Sequence, residues 1–243
     1  AVLAGGEFKF TAQMGCGVFL EPTVGGGGKF GCVDDTAGAG ASVTAATASN
    51  MELFLYNPTV LASAAKSVFE MGSVYILGGS NAGEIEINQF ATSAKLQGLT
   101  NTGKVTATSA KDIFICNTSN SASGSVTVSE SAAVLVSIMN SGSVSVSGGN
   151  FSLFDVTNAA GGAVTVGGAV TVTASGVTNA GTISISGGEI DLTLTTNLGG
   201  TIAIATGVTG TLTLASGGDP GTYTVPATVT KVGFPSPAAA TPT

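Results

Sequence analysis

The sequence predicts an all-β fold: a single-stranded β-solenoid, or parallel β-helix, of about nine coils of ~18–21 residues each, with atypical caps at both ends. Three observations carry the prediction. Asparagine recurs at near-constant interval, at Asn81, Asn101, Asn120, Asn140, Asn158, Asn179 and Asn197, with successive gaps of 20, 19, 20, 18, 21 and 18 residues. Most of these are followed by Gly and then a short apolar/polar alternation, as in "NAGEIEI", "NSGSVSV" and "NAGTISI". The composition is poor in charge (9%) and rich in Gly (37 residues), Ala, Ser, Thr and Val. Its regular alternation argues against disorder.

Residues 1–37 break the repeat, with four glycines at Gly25–Gly28 and the adjacent acids Asp34 and Asp35. They are expected to form an N-terminal cap or assembly segment, since a solenoid end exposes bare strand edges. Residues 38–216 form the solenoid proper. In the coil from Asn179 to Thr196, Ile183 and Ile185 share one side of a first strand. Ile190, Leu192 and Leu194 share one side of a second. Val144 and Val146 with Phe151 and Leu153, and Val164 and Val166 with Val170 and Val172, repeat the arrangement. Stacking about 4.8 Å apart turns these positions into internal ladders. The asparagines read as corner residues, because Asn tolerates left-handed backbone angles and stacked amides can bond one another along the axis. The neighbouring glycines ease the turn. Pro58 to Lys66 reads as a longer corner with room for one helical turn. Residues 217–243, with Pro220, Pro226, Pro235, Pro237 and Pro242, read as a C-terminal cap and Pro-rich tail.

The period, the two apolar strands per coil and the Asn/Gly corners, from about Gly40 to Ser216, resemble right-handed β-helices of the filamentous-haemagglutinin or autotransporter-passenger type. The resemblance is architectural, and right-handedness is what it implies.

Seven Lys, no Arg and 14 acidic residues give a net charge of −7. Clustered cations for phosphate are missing, so nucleic acid is not an expected partner. No apolar run is long enough to span a bilayer. Ala1 fits either trimming of an initiator Met or removal of an upstream signal peptide. Cys16 and Cys32 can close an N-terminal disulfide in an oxidising compartment. Alternatively, those two and Cys116 are all small buried apolar residues.

The sequence contains no His, so Ser-His-Asp and Cys-His arrangements are excluded. Glu84 with Glu86, and Glu189 with Asp191, are two apart on strands and read as solvated outward edges rather than acid/base or metal-binding pairs. No catalytic residue, metal ligand or cofactor is expected. Two outer surfaces are candidates for binding. On the first strand Thr106, Thr127, Ser145, Thr165, Ser184 and Ala203 align as a ladder of the kind that can order water on ice, although Ser and Thr are also ordinary strand residues for a solvent face. On the second strand Phe54, Tyr75, Phe114, Leu135 and Phe154 are expected to point outward, giving an apolar stripe that needs a cover. That cover is either another part of the chain or a second copy.

The expected function is therefore a non-enzymatic structural protein, a self-associating subunit of an extracellular, cell-surface or virion-surface assembly such as a fibre, sheath or appendage. The alternative is an adhesin-like or ice-binding module whose outer face takes a glycan or other surface ligand. The sequons at Asn117 and Asn150 become glycan sites only on a secretory route.

Overall fold

The alternation of β-branched and small polar residues produces stacked parallel strands. The computed structural model describes residues 73–87, 93–108, 112–130, 132–168, 171–215 and 221–234 with side chains. Before residue 73 it describes the backbone of short strands, together with the side chains of Asn57, Val60 and Ala62. Among the described residues there is no helix.

The coils between Ser73 and Gly167 carry three strands, where the sequence suggested two; in the next two coils the second-face and short strands run on as Thr171–Asn179 and Glu189–Asn197. In one three-stranded coil the elements are the second-face strand Asp112–Cys116, a two-residue strand Ser119–Asn120, and the first-face strand Ser125–Ser129. They pair in parallel with Ala132–Val136, Met139–Asn140 and Ser143–Ser147 of the next coil. The middle strand escaped notice because two residues are too few to display a period of two. First-face strands build a 12-stranded sheet, and the second-face and short strands together build an 18-stranded one. About seven turns are described in full, fewer than the nine expected over 38–216. Parallel pairing also continues beyond the expected boundaries. Gly17–Leu20 pairs with Glu52–Tyr56, and Thr222–Thr224 pairs with Thr201–Ile204. Within the expected long corner, Thr59–Val60 is a short strand paired with Ser80–Asn81.

The core is three apolar columns. The first face contributes pairs such as Ile85/Ile87, Val126/Val128, Val164/Val166 and Ile202/Ile204. The second contributes Val74/Ile76, Ile113/Ile115, Ala133/Leu135, Phe151/Leu153 and Ile190/Leu192. The third, just before the short strand, is Leu99, Thr118, Ile138, Val156 and Val177. Thr118 is the polar member of this column, and its Oγ1 donates to the Cys116 carbonyl at 3.1 Å, which satisfies it. At the C-terminal end Tyr223 takes the column position above Ile202, and its ring meets Phe234 edge-on at 5.0 Å. That aromatic pair closes the end of the core.

Candidate assembly interface and the asparagine ladder

The seven asparagines lie 0–1% exposed, stacked in register in the short strands. Each Nδ2 donates to the next Oδ1: Asn81 to Asn101, Asn101 to Asn120, Asn120 to Asn140, Asn140 to Asn158 and Asn158 to Asn179 at 2.8 Å, and Asn179 to Asn197 at 2.7 Å. The second proton of most reaches a backbone carbonyl one coil on, as Asn140 Nδ2 reaches Ala163 at 3.3 Å. At one end the Gly83 amide donates to Asn81 Oδ1, and at the other Asn197 Nδ2 donates to Gly200. All six inter-amide bonds run in one direction, an arrangement in which each bond polarises the next. The ladder is fully occupied by its own partners.

Its backbone is not left-handed, contrary to the sequence expectation. The left-handed corner lies a few residues earlier and forms its own column: Asn57, Gly78, Gly98, Asn117, Ser137, Asp155 and Gly176, with φ between +44° and +78°. Of the glycines that follow the ladder, those at Gly103, Gly124, Gly142, Gly162, Gly181, Gly200 and Gly221 serve close approach, while Gly161 and Gly199 have positive φ with open space around them and serve the turn. A Cβ at Gly142 would collide with the carbonyl oxygens of Gly124 and Ser121, and one at Gly221 with Asn197 Nδ2.

On the first face, Thr106, Thr127, Ser145, Thr165, Ser184 and Ala203 are in register as expected of a ladder. Glu84 is paired with Lys104 at 2.8 Å, an exposed bridge of small energetic weight. Glu86 lies level with Thr106. Glu189 and Asp191 are exposed on the second face. Among the described residues no three His, Cys, Asp or Glu side chains come together to hold a metal ion, and no helix is long and apolar enough to cross a membrane.

The second face differs from its expected form. Leu135 is 2% exposed and points into the core beside Ile115 and Leu153. The outward residue of that coil is Val134. The segment Ala132–Val136 is apolar throughout, so its own sequence hides its phase. Phe114 (37% exposed) and Phe154 (39%) do face outward. They occupy adjacent rows, because Phe114 is level with Val134 and Ser152 while Phe154 is level with Val136. Tyr75 is level with Phe114, but Lys95 sits between them, its Nζ 5.8 Å from the Phe114 ring centre in a cation–π contact. Phe54 is in register with Tyr75, its side chain outside the described residues. Cys16 and Cys32, for which the sequence leaves open a disulfide or two buried thiols, likewise lie outside the described side chains.

The apolar patch thus comprises Tyr75, Leu77, Phe114, Val134, Val136 and Phe154, with Lys95 and Gln97 within it and the exposed carboxylates Asp112 and Asp155 at its edges. The sequence reading missed Leu77, Lys95, Val134 and Val136. Counting back from the ladder asparagines would have found them, since offsets of four and six face out: Lys95 is six residues before Asn101, and Val134 six before Asn140. Cys116 is buried beside the patch, and burial raises its thiol pKa although the Lys95 charge partly opposes the rise. No family model matches the chain, and neither a curated protein nor a solved structure matches it at a significant level.

Proposed function

We propose that the chain is a non-enzymatic structural subunit: a stiff solenoid that self-associates into an extracellular or surface assembly such as a fibre, sheath or virion appendage. The observation that carries this reading is the outward apolar patch around Phe114, Val134, Val136 and Phe154. It sits on a body whose other strands present mostly Ser and Thr. A contiguous apolar patch rimmed by polar residues marks a contact surface. The buried amide ladder supports the mechanical side, because each coil from Asn81 to Asn197 is tied to the next by side chain as well as backbone. Sedimentation velocity tests it. Wild-type protein is expected to associate with rising concentration, and the Phe114→Ser/Phe154→Ser protein to stay monomeric with an unchanged circular-dichroism melt. A wild-type monomer at all concentrations would refute the proposal.

A second reading rests on the registered hydroxyl rows of the first face, Thr106 to Ser184, which suit an adhesin-like or ice-binding surface. Thermal hysteresis or glycan binding by the monomeric double variant would favour it over the structural role.

A further inference from the structure

We infer that the second face joins two copies of this chain about a single two-fold axis, with Phe114 of each copy on Phe154 of the other and Lys95 of each beside Asp155 of the other. This rests on the self-association proposed above and adds its geometry.

Strand register places the residues. Lys95, Phe114, Val134 and Ser152 are level along the strand on four successive coils. Phe154 stands two residues beyond Ser152 on the same coil, and Asp155 three. Phe114 and Phe154 are therefore separated by two coils, about 10 Å along the solenoid, and two residues, about 7 Å along the strand. Lys95 and Asp155 are separated by three coils, about 14 Å, and three residues, about 10 Å. The two displacements share one slope. Their midpoints lie about 3 Å apart, nearly along the perpendicular to that slope, so one two-fold axis in the plane of the face exchanges both pairs.

Val134 and Val136 flank this axis and meet their counterparts, which puts the aliphatic centre of the patch at the centre of the contact. Asp112 falls opposite Thr173 and Ser175, hydroxyls that can donate to it. Like-charged approaches fall on the rim, where water and salt screen them: Asp191 comes near both Glu130 and Asp112, and Glu189 comes near Glu130. Charge complementarity thus selects a second copy: the patch's one cation and the carboxylate at its far edge are placed for each other across the axis. Stacking through the C-terminal end is disfavoured, since Tyr223 with Phe234 covers the core there.

The test is a charge swap between separate proteins, read by sedimentation equilibrium. Lys95→Asp protein alone and Asp155→Lys protein alone are each expected to dissociate at least tenfold more readily than wild type. An equimolar mixture is expected to recover affinity to within about threefold, because each Lys95→Asp copy then faces an Asp155→Lys copy. Asp155 has φ +52°, where Lys is less at ease than Asn, so Lys95→Gln and Asp155→Asn in a double-mutant cycle provide a second route. A coupling of about tenfold in the dissociation constant is expected there, with melts unchanged. A mixture that stays dissociated, or a cycle without coupling, while Phe114→Ser still disperses the wild-type assembly, overturns this geometry and leaves self-association standing. A wild-type monomer sinks both.

Discussion

Replacing Asn140 with Ala interrupts the amide ladder at its middle, and the cost can be worked from the bonds lost. Asn120 Nδ2 loses its acceptor Asn140 Oδ1 but keeps the Ser143 carbonyl at 3.1 Å. Asn158 Oδ1 loses its donor from the coil before, and the Ala163 carbonyl loses the Asn140 amide. Three bonds, two of them buried and one part-buried, at about 1–1.5 kcal/mol each and with little room for water to replace the amide, give a destabilisation of about 3–4.5 kcal/mol. Asn140→Asp should cost more, because an oxygen would face Asn158 Oδ1 and the Ala163 carbonyl where Nδ2 now donates, and a buried charge would lack a cation. At the end of the ladder, Asn197→Ala breaks the bond from Asn179 and the one to Gly200. Among the described residues two bonds are lost there against three at Asn140, so its effect should be smaller. Urea denaturation followed by circular dichroism measures all three. A loss below about 1 kcal/mol at Asn140, or an equal loss at Asn140 and at half-buried Ser141, would refute the ladder as a source of stability.

Leu135→Ala should cost about 2–5 kcal/mol and Val134→Ala under about 1 kcal/mol; the reverse order in denaturation midpoints would mean the strand is out of phase with the structure. Gly142→Ala should destabilise by about 2 kcal/mol or more through overpacking against two carbonyls, whereas Gly161→Ala, with open space around it but φ +86°, should cost only about 1–2 kcal/mol of backbone strain. Cys116 should resist alkylation at neutral pH in the folded protein, since burial keeps it a thiol. Peptide mapping that found it modified as fast as in urea would contradict that placement. Glu84→Gln should change stability by under about 0.5 kcal/mol in a thermal melt, as expected of a half-exposed ion pair.

The sequence made the solenoid and its inward ladders legible because a fixed interval of asparagines sets the register of every coil. Ile183/Ile185 and Val164/Val166 then declare their side by alternation. Three features stayed hidden for identifiable reasons. The short strand has only two residues per coil, so Ser119–Asn120 shows no period. The left-handed corner is occupied by Asn, Gly, Ser or Asp in turn, which gives no repeating letter. On the second face, Ala132–Val136 is apolar at every position, and the phase that sends Val134 out and Leu135 in comes only from offset to Asn140. Phe114 and Phe154 were visible as outward aromatics, but their placement in neighbouring rows required the hydrogen-bond register. Lys95 was overlooked because a single cation in an apolar stripe looks like an interruption until its position relative to Asp155 is known.

Hydroxyl-radical footprinting across a concentration series addresses the account most directly, since it reports which side chains become covered when copies meet. Phe114 and Phe154 should lose reactivity together as the protein associates. Met139 (65% exposed) and Leu198 (61%), which lie off the patch, should keep theirs. Protection of Met139 or Leu198 with Phe114 and Phe154 unchanged would place the contact elsewhere and contradict the assembly face described here.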